Sequence, residues 1–169
     1  MELEELRVGV ISVMKEIPDL SHFPLDELTK IPLGLMRKGT ALRHGVCRWN
    51  RGAPLEIHAI KGVNLHPDIL DERWSRYAKF VLYHEFLHAL GHRYHDNEFY
   101  TMEGLWPDEE AIDMKEQFSD FVMKKYCKWE LICTSCNLTH LRSRRPTGRY
   151  NCLKCKSRMA CNRRELVGS

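Results

Sequence analysis

Two histidines four residues apart, His84 and His88, flank a glutamate in the run His84-Glu85-Phe86-Leu87-His88. On a helix, side chains at positions i and i+4 lie one above the other, so both imidazoles can reach one Zn²⁺. Glu85 would lie beside the metal, where its carboxylate can take a proton from a bound water. The pattern is typical of a zinc metallopeptidase with Glu85 as its catalytic base.

A catalytic zinc needs a third protein ligand and an open position for water. If the helix continued past His88, His92 would lie about 12 Å along its axis from His84, too far to share one ion. Gly91 predicts that the helix ends earlier. We therefore favour His95, in the loop that follows, as the third ligand. His92 and Glu110 remain alternatives.

A second metal site is indicated by two Cys-x-x-Cys pairs fifteen residues apart, made of Cys133, Cys136, Cys152 and Cys155. This spacing is typical of a zinc ribbon. Four thiolates leave no open position on the ion, so this zinc would be structural. The segment has few large apolar residues, and zinc binding would supply the folding energy that a hydrophobic core would otherwise provide. The alternative is a redox dithiol, which one pair would normally suggest. The other three cysteines lack partners at ligand spacing, and we expect them to be reduced thiols. They are Cys47, Cys127 and Cys161, and Cys47 is expected in the core.

Charge is divided unevenly along the 169 residues, whose net charge is +3. From residue 127 onward there are ten Lys and Arg against two Asp and Glu, a balance of +8, so the preceding part carries −5. A basic appendage on an acidic body favours binding to a polyanion, nucleic acid first, although a solvated basic tail is the simpler alternative. The candidate nucleic-acid contacts are Arg142, Arg144, Arg145, Arg149, Lys154, Lys156 and Arg158.

Periodicity and turn residues predict the elements that must position these groups. Helices are expected over residues 3–15, 72–91 and 107–125, with a short helical stretch over 66–71 and a short segment over 97–102. Extended segments are expected near residues 33–37, 41–49 and 55–60, with a hairpin connection at 50–52. The expected fold is α+β: a zincin-like domain, with a small sheet packed on the active-site helix, over residues 1–126, then a zinc ribbon over 127–169. No membrane-spanning run or secretory segment is seen, which favours an intracellular protein.

The order of these parts resembles the SprT-like zinc metallopeptidases, the family that includes the Spartan proteases. The resemblance covers about residues 33–158 and rests on residues 84–88, 91–92 and 95–99, on the cysteine pairs around residues 141–145, and on residues 44–50 and 55–58 upstream. Residues 95–99 are also similar to Wss1-like proteases. The gap from His88 to His95 is shorter than in Spartan-type members.

This resemblance implies a zinc endopeptidase, with His84, His88 and His95 as ligands and Glu85 as base, that cleaves proteins bound or crosslinked to DNA. It implies two zinc ions per chain and DNA, single-stranded or containing junctions, as a partner. We expect a monomer in the cytoplasm or nucleoid, or in the nucleus of a eukaryote. The competing hypotheses are a DNA-binding zinc protein whose zincin domain does not cleave, and a zinc peptidase unrelated to DNA.

Overall fold

A computed structural model of the chain describes residues 1–37, 39, 43–52 and 56–166. These fall into two compact units, one of residues 1–37 and 43–115 and one of residues 39 and 116–166. Each contains a small sheet and helical residues, so the fold is α+β, as the sequence predicts. The predicted boundary between residues 126 and 127 lies inside the second unit.

Helix α1 (Leu3–Glu16) opens the first unit. Its capping box satisfies exposed amides at the N-terminus, where the Glu5 side chain accepts from the Glu2 amide. Apolar residues at helical spacing form one buried face of this helix: Leu6, Val10, Ile11 and Met14. This face packs against the second long helix of the unit.

The first sheet has three strands, β1 (Leu33–Leu35), β2 (Gly45–Trp49) and β3 (Ile60–Leu65), in the order β1-β3-β2. The central strand β3 runs parallel to β1 and antiparallel to β2. Val63 and Leu65 of this strand are fully buried, and the strand packs against the helix that carries the histidine motif. Strand β2 lies at the edge of the sheet and packs against the helix that carries the histidine motif.

The predicted extended segment at residues 55–60 is wrong for its described part except at Ile60. Residues Ile57–Ala59 form a short 3₁₀ turn, and the strand begins at Ile60. The strand starts where its pairing with β2 starts. A Cβ at Gly62 would stand 2.9 Å from the Pro32 carbonyl oxygen, so this glycine allows β3 to pass close to the chain before β1. The connection from β2 to β3 is also longer than the predicted three-residue hairpin, and residues 41–42 and 53–55 lie outside the described residues.

Helix α2 (Ser75–Ala89) is the centre of the first unit. It follows a 3₁₀ turn, Glu72–Trp74, capped by the Asp71 side chain, so the regular helix starts three residues later than predicted. Ten of its fifteen residues are buried, since α1, β2, β3 and the next helix all pack against it.

No helix in the described part of the chain is long and apolar enough to cross a membrane.

Two further helices follow, α3 (Asn97–Glu103) and α4 (Glu109–Tyr126). Asp96 caps α3 by accepting from the Phe99 amide at 3.0 Å, and Asp108 caps α4 by accepting from the Ala111 amide at 3.2 Å. Both caps satisfy amides that a helix leaves without partners at its start. Helix α4 has residues in both units.

The second unit contains a three-stranded antiparallel sheet of β4 (Trp129–Cys133), β5 (Thr139–Arg142) and β6 (Met159–Arg163), with β4 in the centre. Its core is small and includes two of the cysteines: the buried residues are Leu131, Cys133, Cys152 and Met159. Arg164, directly after β6, donates to the carbonyls of Lys124 and Cys127 at the end of α4. A cation there complements the negative end of the helix dipole.

Candidate metal centres

The end of α2 brings the third histidine back toward the first two. The amide of Gly91, at φ 111°, donates to the His88 carbonyl, and the amide of His92 donates to the Leu87 carbonyl. This pair of bonds is the Schellman motif, which requires a left-handed residue and so favours glycine. The chain reverses there, and His95 reaches the motif histidines from the following loop.

The three Nε2 atoms converge. His95 Nε2 lies 3.1 Å from His88 Nε2 and 3.2 Å from His84 Nε2, and the three candidate ligand atoms all lie within 4.8 Å of one another. A tetrahedral ion bound at zinc–nitrogen distances of 2.0–2.1 Å would space its nitrogens by about 3.3 Å. The histidine triad, His84, His88 and His95, therefore fits one metal ion of zinc's size and ligand preference.

In two of the three histidines, the ring nitrogen that does not face the other triad members, Nδ1, lies next to a hydrogen-bond acceptor. His84 Nδ1 lies 2.5 Å from Glu103 Oε1, and His88 Nδ1 lies 2.6 Å from the His92 carbonyl oxygen. Because a carbonyl oxygen only accepts, His88 must carry its proton on Nδ1, which leaves the Nε2 lone pair for a metal. Burial lowers the pKa of His88 to about 4, so its imidazole is neutral at pH 7, the form that binds metals.

Phe99 lies against all three triad rings. Its ring centroid is 4.9 Å from that of His84, 4.8 Å from His88 and 4.7 Å from His95, and its side chain is fully buried. The N-cap bond from the Phe99 amide to Asp96 fixes the start of α3 and with it this ring. His95, which is mostly exposed, also stacks on Tyr100 at 6.2 Å.

The two alternative ligands lie elsewhere. The His92 ring packs edge-on against Phe23 at 5.6 Å, and its contribution at the triad is through its carbonyl. The Glu110 carboxylate is exposed and paired with Arg76, which also binds Asp108. Among the described residues, His95 is thus the third ligand candidate that reaches the motif histidines.

Glu85 is buried, with 5% of its surface exposed, between α2 and the edge strand β2. Burial raises the pKa of its carboxyl to about 7, although the neighbouring His84 and the Cys47 amide, which donates to the carboxylate, act in the opposite direction. A buried carboxylate held by a backbone amide next to a metal-ligand triad is well placed to exchange protons.

The four cysteines also converge. Cys133 Sγ lies 3.3 Å from Cys155 Sγ, and Cys136 Sγ lies 3.6 Å from the Sγ atoms of Cys152 and Cys155. A tetrahedral ion at zinc–sulfur distances of 2.3 Å would space them by about 3.8 Å. This cysteine cluster could therefore hold one zinc ion, and its four ligands leave no open position.

Each cysteine pair forms the same tight turn. The residue after the second cysteine is left-handed in both, Asn137 at φ 56° and Lys156 at φ 62°, and its amide donates to the carbonyl of the first cysteine. Amides of Ser135 and Cys136 also point at Cys133 Sγ at 3.5 Å.

All seven basic residues proposed as nucleic-acid contacts are exposed, and in the described part of the chain none of them forms an ion pair with an acidic side chain. Arg145 lies 5.3 Å from the centroid of the Trp129 ring, which is half-buried on β4. Tyr150, also exposed, lies close to Gly148 in the same loop. The second unit therefore presents free cations together with aromatic rings.

Three residues of the histidine site were given no role there from the sequence: Glu103, Phe99 and Gly45. The last lies against Glu85, where a Cβ would stand 2.6 Å from Oε1. Only the Asp96 cap, with an aromatic residue three positions on, could have indicated a short helix facing the triad.

No protein-family description, no curated protein and no solved structure matches this chain.

Proposed function

We propose that this protein is a zinc-dependent endopeptidase of the SprT-like type that cleaves proteins bound or crosslinked to DNA. The observation that carries the proposal is the histidine triad, whose three Nε2 atoms converge at zinc-ligand spacing. The same helix carries the buried Glu85, whose carboxyl interacts electrostatically with His84. Three neutral ligands with room for a fourth are the arrangement of catalytic zinc sites.

His84, His88 and His95 would hold the zinc, which when bound polarises a carbonyl group and acidifies water. Glu85 takes the proton from the attacking water as its oxygen bonds to the peptide carbonyl carbon. The same carboxyl then gives that proton to the amine nitrogen as the C–N bond breaks, so Glu85 ends the cycle ionised. The Cys47 amide and the close approach of Gly45 keep the carboxylate in place through both transfers.

The proposal is tested by Glu85→Gln, which keeps the shape of the side chain but removes the base. Cleavage of a DNA-bound protein should fall at least 10²-fold, the usual contribution of a general base, with zinc content and DNA retention unchanged. Glu98→Gln, at an exposed glutamate of α3, is the matched control and should cleave normally. Undiminished proteolysis by Glu85→Gln would contradict the role of Glu85 as the catalytic base.

The DNA part of the proposal is supported by the +8 balance after residue 126 and by the exposure of the seven basic residues. Neutralising Arg142, Arg144 and Arg145 should weaken retention on single-stranded DNA and flatten its salt dependence, by about 0.7 in slope for each phosphate that is no longer neutralised. The matched control neutralises three exposed arginines of the first unit: Arg43, Arg48 and Arg51. Equal retention by both triple variants would argue for a peptidase unrelated to DNA.

A non-proteolytic DNA-binding protein is the remaining alternative. It is distinguished by incubating the zinc-loaded protein with a basic protein substrate, with and without single-stranded DNA. We expect cleavage of the substrate or of the chain itself, faster with DNA.

Because all seven cysteines are free, a reducing compartment inside the cell suits the protein.

A further inference from the structure

We propose that Glu103 is the positioning residue of the histidine site: its carboxylate orients His84 and increases the zinc affinity of the triad. The inference rests on the proposed zinc site. It starts from the 2.5 Å contact between Glu103 Oε1 and His84 Nδ1, across nineteen residues of sequence. Both side chains are largely shielded, 21% and 24% exposed, so the contact is not a loose surface pair.

The contact has a defined consequence for the ring. A carboxylate beside Nδ1 holds the imidazole proton on that nitrogen and leaves the lone pair on Nε2. The Nε2 atom of His84 is the one that lies 3.2 Å from His95 Nε2. Glu103 therefore selects the tautomer and the ring orientation that the triad requires.

The backbone of Glu103 is itself anchored to the motif helix. Tyr83, the residue before His84, is buried and donates its hydroxyl to the carbonyl of Met102, the residue before Glu103. The end of α3 is thus tied to α2 at adjacent positions, once through Tyr83 and once through His84. Such a double attachment fixes the carboxylate in place, which a flexible surface glutamate could not achieve.

The three ligands are held by different means. His88 is oriented by the carbonyl of His92, which no side-chain substitution removes, and His95 by ring contacts with Phe99 and Tyr100. Glu103 is the one negatively charged side chain in hydrogen-bond contact with a triad ring among the described residues. It also adds the negative charge that three neutral imidazoles lack around a divalent cation.

The experiment measures zinc binding to the full chain by competition with a chelator, which needs no proteolytic activity. Glu103→Gln keeps an oxygen that can accept from His84 Nδ1 but removes the negative charge. It should weaken one of two sites about 10- to 100-fold, the usual effect of changing the hydrogen-bond partner of a metal-binding histidine, and leave the cysteine cluster unchanged. Substitution with Co²⁺ assigns the sites, because only the cysteine cluster gives sulfur charge-transfer bands. Glu98→Gln, on the same helix, is the matched control and should bind as wild type.

The outcomes separate this inference from the proposed function. Wild-type protein that binds one ion, at the cysteine cluster, would overturn both. Two ions in wild type and unchanged affinity in Glu103→Gln would overturn the positioning role alone. Glu103→Asp, which keeps the charge but shortens the side chain, should also weaken the histidine site, and it supplies the measurement if Glu103→Gln does not fold. A merely structural role would lower the melting temperature of the metal-free protein and leave zinc affinity unchanged.

Discussion

Gly45 lies directly against the carboxylate of Glu85: a Cβ built on Gly45 would stand 2.6 Å from Glu85 Oε1, 2.8 Å from its Cγ and 2.9 Å from a Val81 methyl. Strand β2 can approach helix α2 this closely only because residue 45 has no side chain. Two residues further along the strand, the Cys47 amide donates to the same carboxylate. The edge strand thus sets the position of Glu85.

Gly45→Ala should therefore displace Glu85. We expect cleavage of a DNA-bound protein to fall about 10²-fold, because a shift of about 1 Å in a catalytic group has an effect of that size. Zinc content should stay at the wild-type value, and overpacking should lower the free energy of unfolding by about 1–3 kcal/mol. The control is Gly9→Ala in α1, where a Cβ meets nothing within 4 Å and should stabilise the helix by about 0.5–1 kcal/mol. Full cleavage by folded Gly45→Ala would show that the strand does not position the base.

The left-handed residue of the first cysteine turn provides a second prediction. Asn137→Val places a β-branched residue at φ 56° and should destabilise the second unit by about 1–2 kcal/mol. Zinc at the cysteine cluster should then be released at a lower chelator concentration, while the histidine site is unchanged. Asn137→Gly, which adopts this φ without strain, is the control. Equal zinc retention by the two variants would contradict the role of this turn.

How far the sequence predicts this molecule depends on the range of the interactions involved. The histidine motif, the stop at Gly91 and the cysteine turns could be predicted because their chemistry is local, within one helix turn or one four-residue turn. The choice of His95 over His92 also followed from helix geometry. The structure agrees, with the His92 ring directed at Phe23.

Glu103, Phe99 and Gly45 could not be predicted, because each acts through tertiary packing. Nothing in the composition of α3 says which of its faces meets the triad. Strand β3 shows the same limit: it mixes Ile60 and Val63, which favour strands, with Gly62 and Asn64, which do not, and pairing with β2 determines where it starts.

The reactivity of the cysteines outside the cluster gives a third prediction. Cys47, which the sequence places in the core, is only half-buried. This partial burial, followed by the nearby charge of Glu85, raises the pKa of Cys47 from 9.0 to about 12, which leaves about a thousandfold fewer thiolates at pH 8. Cys161 is exposed on β6. Iodoacetamide should therefore alkylate Cys161 well before Cys47 in the folded, zinc-loaded protein, as read by peptide mass spectrometry. In denatured protein the two should react alike, and early labelling of Cys47 in the folded state would contradict its raised pKa.

The last prediction concerns the pair between Arg76 on α2 and Asp108 at the start of α4. Arg76 donates to both carboxylate oxygens, at 2.8 and 2.5 Å, and these bonds hold the pKa of Asp108 below its usual value of 3.8. A carboxyl whose pKa is lower in the folded protein stabilises it above the unfolded pKa, and the contribution is lost as the pH falls through the folded value. Asp108→Asn should keep the helix cap and lose the ion pair, which at this half-exposed site contributes less than about 1 kcal/mol.

The difference in urea midpoint between wild type and Asp108→Asn should therefore be present at pH 7 and shrink as the pH falls through the folded pKa of Asp108, which lies below 3.8. Asp108→Ala removes the cap as well and should lose a further 0.5–2 kcal/mol, about 1 in a typical case. That second difference, between Asn and Ala, should persist in acid, because capping by an amide does not titrate. A gap between wild type and Asp108→Asn that widens in acid would show that the carboxyl, not the carboxylate, is the form that Arg76 and α4 hold.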